Sequence, residues 1–447
     1  MKWLGCAALG LALLAAGPPA APPSPNPMPV VTLRNGVRLL LVPDGQASAV
    51  DVAVWYDSGS RHERPRLNGI SHLFEHLMFE GSSHFGPEEH RRLIRGQGGT
   101  AGAYTGADFV CFFETVPPGA TEMALRLEAD RMDSPRLAED ALEAERRVVR
   151  EENAQRTASS PLARGIDRLY ATAFRVHPYR LPVLGSDSAL ARITLADCRA
   201  TFAARFAPNR SLVTVVGNFD SAQVVTWARQ YFEPIRERRT ADAPARKEPP
   251  QGGERRVVVR EATSTPLLLV GWRAPSRRDP DWPALVVLSD LLARGSSARL
   301  QRALAGREGP CSEVQADVEG RRDASLLYAS ARLRPGADSG EVESTMKREL
   351  GALARKPVDE AELEAAKRHV EAATLFGLQT ARGRAQTLGT FQFLDGDARG
   401  LERHLERVRA LTAADLRRAA ARTLVPARRC VVWILPSQSG VVGGGER

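Results

Sequence analysis

Three segments of this 447-residue chain recur, in the same order, further along it. "HLFEHLMFEGSS", ending at Ser83, returns as "VVLSDLLARGSS", ending at Ser297, 214 residues later. "ALEAERRVV" from Ala141 returns as "ELEAAKRHV" from Glu362 at an offset of 221, and "ITLADCRATFAARFAPNRSLVTVV" from Ile193 returns as "LTAADLRRAAARTLVPARRCVVWI" from Leu411 at 218. Self-similarity at one nearly constant offset is what a duplicated unit leaves behind, so the chain is expected to fold as two homologous domains of roughly 200 residues. The stretch "RERRTADAPARKEPPQGGER" from Arg236, rich in Pro, Gly and charge, reads as the joint between them.

Within each half, strand-like runs alternate with helical ones. "VRLLLVP" and "SAVDVAVWYD" precede "PEEHRRLIRGQ" and "ATEMALRLEADRM", and each half closes on an apolar run, "SLVTVVGNFD" or "RRCVVWILP". The expected architecture is α+β: two homologous domains, each a mostly antiparallel sheet with helices packed on one face. Residues 28–235 form the first domain, 236–253 the linker and 254–440 the second.

Composition bounds the function classes. The net charge of +9 is nearly all arginine, with lysine only at positions 2, 247, 347, 356 and 367. Arginine scattered along helices without a binding motif reads as solvated surface, which disfavours nucleic acid. "MKWLGCAALGLALLAAGPPAAPPSP" carries a lysine, about a dozen apolar residues and then small residues and prolines, as a secretory signal peptide over residues 1–21 would. No later run of ~18 apolar residues follows. Export is therefore expected, with the periplasm as the destination and the extracellular space as the alternative. Cys111, Cys198, Cys311 and Cys430 lack paired spacing and read as small buried hydrophobes. No G-x-S-x-G elbow, Walker motif or dinucleotide-binding glycine pattern is present, which disfavours serine hydrolases and nucleotide enzymes. His62, His84 and His90 match no ligand spacing and read as surface groups or as supports around a site.

The chemistry concentrates in "SHLFEHLMFE". On a helix, His72 and His76 lie one turn apart with Glu75 between them in angle, so three polar groups leave from one face while Leu73, Phe74, Leu77 and Met78 turn to the core. Imidazoles at i and i+4 can share a zinc ion, and a neighbouring glutamate can act as general base on water. The order H-x-x-E-H inverts the commoner zinc-protease helix. A third ligand must come from another helix, and "EAERRVVREEN" offers Glu145 and Glu152, seven residues and two turns apart on one face. At the matching positions the second half has Val286, Ser289, Asp290, Ala366 and Ala373. A structural role would persist in both copies, so the joint loss assigns the five polar residues to function.

"GSRHERPRLNGISHLFEHLMFEGS", "GGTAGAYTGADFVCFFETVP", "ERRVVREEN", "HPYRLPVLGS" and "APNRSLVTVVGNFD" together resemble the inverzincin metallopeptidases of the pitrilysin, insulinase and mitochondrial processing peptidase family. The resemblance implies one zinc per chain held by His72, His76 and Glu152, with Glu75 as general base and Glu145 orienting a histidine ligand. It implies a clam-like peptide chamber and a peptide substrate that adds as a strand along Gly102, Ala103, Tyr104 and Thr105. The departures matter equally. Gly102 stands where the family normally has asparagine, and Val110 and Phe112 stand where threonine and tyrosine are common. Active members also carry an arginine and, seven residues later, a tyrosine that stabilise the tetrahedral intermediate; Ala305 and Ser312 occupy those positions, with Arg302 and Arg307 nearby but turned away. The resemblance thus implies a zinc metalloendopeptidase that needs a homologous partner subunit, lacking H-x-x-E-H, to supply the arginine and tyrosine, a heterodimer being favoured over a homodimer. The alternative is a zinc-binding, weakly active or inactive peptide-binding subunit of a larger complex.

Overall fold

The computed structural model describes Met28 and residues 30–238, 247–261 and 263–437. The signal peptide expected over residues 1–21 and the middle of the expected linker lie outside the described residues. The first half contains strands β1 (Val30–Thr32), β2 (Arg38–Pro43), β3 (Val50–Tyr56), β4 (Thr100–Thr105), β5 (Val110–Val116) and β6 (Ser211–Gly217). Its helices are α1 (Ile70–Leu77), α2 (Glu89–Gly96), α3 (Thr121–Asp133), α4 (Glu139–Ser159), α5 (Pro161–Ala173), α6 (Asp187–Leu190), α7 (Leu195–Arg205) and α8 (Ser221–Phe232). The second half contains β7 (Arg255–Glu261), β8 (Leu267–Ala274), β9 (Cys311–Glu319), β10 (Ser325–Leu333) and β11 (Arg429–Pro436). Its helices are α9 (Trp282–Ala293), α10 (Arg299–Leu304), α11 (Ser339–Arg355), α12 (Glu360–Gly377), α13 (Ala381–Thr390), α14 (Gly400–Ala410) and α15 (Ala413–Thr423).

The strands form a sheet in each half, ordered β1-β2-β6-β3-β5-β4 and β7-β11-β8-β10-β9. All neighbours are antiparallel except β2 with β6 and β7 with β11, so the mostly antiparallel α+β fold with two homologous units is what the chain adopts. The recurring segments fold alike. Thr194 and Asp197 form a capping box at the start of α7, and Thr412 and Asp415 form the same box at α15. β4 and β9, at matching places in the two units, are both sheet edges.

One face of each sheet carries that unit's own helices: Leu39, Val52, Val54 and Phe112 pack with Leu73, Phe74, Leu125 and Phe232 in the first core. The other face is closed by exchange. Leu388 of α13, with Phe393, Leu394 and Leu405, covers Leu40, Ala53, Trp55 and Leu212 of the first sheet. Reciprocally, Leu169, Tyr170 and Ala173 of α5 cover Leu269, Leu326, Val432 and Ile434 of the second. Burying such faces at ~25 cal/mol per Å² of apolar area makes each half part of the other's core. Among the described residues no helix is long and apolar enough to cross a membrane.

Candidate metal centre

Helix α1 begins at Gly69, whose φ of 93° is the left-handed conformation that glycine adopts without cost. No side chain of α1 itself caps the first turn; Glu63 does so from the preceding loop. Its carboxylate accepts from the Gly69 and Ser71 amides at 2.8 and 2.9 Å and from the Asn68 side chain at 2.9 Å. A carboxylate there meets both the orphan amides and the positive end of the helix dipole. Its importance could not be read from the sequence, since Glu63 stands outside any capping spacing. Thus anchored, α1 buries Leu73 and Phe74, turns His72 and His76 toward α4 and turns Glu75 toward β4.

The structure brings His72, His76 and Glu152 together, with one candidate ligand atom from each lying within 4.8 Å of the others. Glu152 Oε2 is 3.7 Å from His72 Nε2 and 3.4 Å from His76 Nε2. Tetrahedral ligands about 2.1 Å from a zinc ion would be roughly 3.4 Å apart, close to the two distances from Glu152 to the histidines. Two imidazoles and one carboxylate, with the carboxylate half exposed, are also the donor set of an open catalytic site rather than a closed structural one. Glu145 Oε2 lies 3.0 Å from His76 Nδ1, which fixes the ring and leaves Nε2 directed at Glu152. His72 Nδ1 is buried without a hydrogen-bond partner among the described residues.

Electrostatics support the same set. Burial, with the positive charges of His76 and Arg156, pulls His72 down to about 3, so its imidazole is neutral and available as a ligand. At His76, burial acts downward but is outweighed by the hydrogen bond and charge of Glu145 and by the charges of Glu75 and Glu152, and the net shift is upward. Burial pushes the Glu75 carboxyl up from its ordinary value, against the hydrogen bond from Thr105 and the charge of His76, which act downward. The Thr105 hydroxyl donates to Glu75 Oε2 at 2.6 Å, tying the end of the edge strand to the base.

Gly102, Ala103, Tyr104 and Thr105 all lie in β4, the edge of the first sheet beside α1. Glycine at 102 has a local cause: it pairs with Phe113, and a Cβ there would sit 2.6 Å from that ring. The remaining candidates fall elsewhere. Ala305 caps α10 and the exposed Ser312 is the second residue of β9, both within the second half. His84 is exposed and paired with Asp130. His90 is neither a surface group nor a support for the metal triangle. It is buried in a separate cluster, 2.9 Å from Glu114 and 2.9 Å from the Arg131 guanidinium, which also meets Glu128. Three acidic or imidazole groups there fall within metal-ligand reach, but Arg131 already supplies the cation, so the cluster is an internal ion network.

Beyond Glu152 a cavity of about 560 Å³ opens at the junction of the halves, lined by Thr105, Asp108, Arg156, Asp167 and Tyr170 and by Arg321 from the β9–β10 turn.

A fold with an H-x-x-E-H helix facing a glutamate on a second helix defines an inverzincin-type zinc peptidase unit. The family model described as "Insulinase (Peptidase family M16)" matches residues 38–187, and "Peptidase M16 inactive domain" matches 192–370. The chain belongs to this family, the M16 peptidases of the pitrilysin and insulinase type. It is 27% identical over 410 residues to the zinc protease PqqE of Helicobacter pylori, covering 91% of this chain and 92% of that protein. It is 29% identical to an uncharacterized zinc protease of Mycobacterium leprae, covering 88% of each. The crystal structure of a protease from Helicobacter pylori superposes with a TM-score of 0.87 at 27% identity, over 91% of this chain and 99% of that one. At 18% identity, a Pseudomonas fluorescens structure described as a peptidase M16 inactive domain shares the fold, with a TM-score of 0.82 over 92% and 98% of the two chains.

Proposed function

We propose that the chain is an exported zinc-dependent metalloendopeptidase, cleaving peptides or unfolded segments, that works with a homologous partner subunit. The observation that carries this reading is the convergence of His72, His76 and Glu152 into a zinc-sized triangle with Glu75 beside it. Bound zinc would supply the Lewis acid that polarises the scissile carbonyl and acidifies water. The substrate backbone adds to β4 as a strand, through the main-chain groups of Gly102 to Thr105. Glu75, its Oε2 fixed by Thr105, takes a proton from the attacking water on its other oxygen and returns it to the leaving amine. Glu145 holds the His76 ring in one tautomer. Ala305 and Ser312 offer nothing to the developing oxyanion, and donors of that kind are commonly worth ~10²–10³ in rate. The partner subunit supplies them.

A second reading, a peptide-binding subunit with little activity of its own, is favoured by the same two residues. The test is cleavage of a quenched fluorescent peptide by the zinc-loaded chain, alone and with a homologous subunit lacking H-x-x-E-H. Cleavage is expected only in the pair and falls by ~10²–10⁴ in Glu75→Gln. Equal cleavage by the lone chain would remove the partner, and zinc binding without cleavage in either sample would favour the second reading. Export predicts a mature chain without residues 1–21 in the periplasmic fraction.

A further inference from the structure

At the opposite end of the first sheet from the β3 start at Val50, the halves meet around a cavity of about 650 Å³ lined by Arg38, Asp57, Arg210, Arg278, Arg322 and Phe393. Four of its lining residues are arginines and one, Asp57, is acidic. Asp57 is already engaged by Arg322 at 2.8 Å and by Arg210 at 3.1 Å. Asp395, outside the lining, is held by Arg277 at 3.0 Å and lies 3.8 Å from Arg278. Arg38 rests on the Phe393 ring, its guanidinium carbon 5.8 Å from the centroid, and forms no ion pair among the described residues. Burial, and next the charge of Arg322, lower the Arg38 pKa, with Asp57 acting in the opposite direction. Arg322 Nε is buried without a hydrogen-bond partner.

We propose that this cavity binds a small phosphate-bearing anion that bridges Arg38 of the first half and Arg278 and Arg322 of the second. The Arg38 guanidinium and the unpartnered Arg322 Nε offer N–H donors to a multiply charged tetrahedral group, while Arg322 Nη1 stays on Asp57 and Arg278 Nη2 donates to the Leu394 carbonyl. Its lining draws on both halves, Arg38, Asp57 and Arg210 from the first and Arg278, Arg322 and Phe393 from the second, so an occupant would hold the two together.

The probe is inorganic pyrophosphate, titrated calorimetrically at low ionic strength into the metal-free full chain so that zinc chelation contributes no heat. One site per chain is expected, with affinity weakened tenfold or more in Arg38→Gln and in Arg278→Gln. The Arg278 side chain is half exposed, so its removal leaves folding intact. Pyrophosphate should also raise the thermal midpoint of the wild type but not of either variant. No binding by the wild type, or unchanged affinity in both variants, would overturn the proposal. A lipid headgroup carries the same chemistry, and retention on phosphatidylglycerol vesicles that pyrophosphate displaces would overturn the assignment to a soluble anion.

Discussion

At the scale of single residues, helical periodicity puts His72, Glu75 and His76 on one face and Glu145 and Glu152 on another, leaving either glutamate open as a third ligand, and only the family resemblance singles out Glu152. What the spacing could not convey is the register between strands. Gly102 stands where the family normally has asparagine, yet in the fold it is the residue that admits the Phe113 ring, over which Arg382 also lies with its guanidinium carbon 3.1 Å from the ring centroid. Restoring the family's asparagine is therefore expected to harm this chain rather than repair it. Gly102→Asn should cost about 1–3 kcal/mol in urea denaturation through overpacking, and adding Phe113→Ala should recover part of that loss. Additive losses in the double variant would show that the ring is not the cause. The Glu75–Thr105 bond was hidden for the same reason, since it joins a helix to a strand whose pairing the sequence does not state.

At the scale of elements, the periodic runs announced strands and helices well, whereas which helix lies on which sheet did not follow from them. Helix α14 shows one consequence. It lies over the stretch Phe391–Asp395, with His404 6.1 Å from the Phe391 ring and Arg277 over the same ring at 4.9 Å. Burial, with the charges of Arg277 and Arg407, pulls His404 down to about 4 from an ordinary 6.5. Above that ordinary value the imidazole is neutral in both states and pH has no effect through it. As pH falls from 6.5 toward 4, the unfolded chain binds a proton that the folded one refuses, so stability is lost. Urea melts at pH 7 and pH 5 should differ by about 1–2 kcal/mol more in the wild type than in His404→Gln. Equal pH dependence in the two proteins would contradict this placement of α14.

At the scale of the whole molecule, duplication was readable at once, yet it suggests two units that could stand apart, and the exchange of α5 and α13 says otherwise. Each of those helices belongs by sequence to one half and covers the sheet of the other. Neither has an unusual pattern, because a helix shows that it has an apolar face and not what that face will meet. Polar contacts reinforce the exchange at the β9–β10 turn. There Asp323 accepts from Arg61 at 2.6 Å and lies 3.1 Å from His177 Nε2, and the Arg322 amide donates to Asp108 at 3.1 Å. Removing either half would uncover Trp55 and Leu212 on one side, or Leu269 and Ile434 on the other, each fully buried or nearly so. The chain should therefore unfold as one cooperative unit despite its two sheets. Calorimetry is expected to give a single transition with equal calorimetric and van't Hoff enthalpies, and a chain ended at Arg238 should bind a hydrophobic dye rather than fold. Two separated transitions, with a folded first half on its own, would mean that the exchanged helices add little and that the sheets are stable without them.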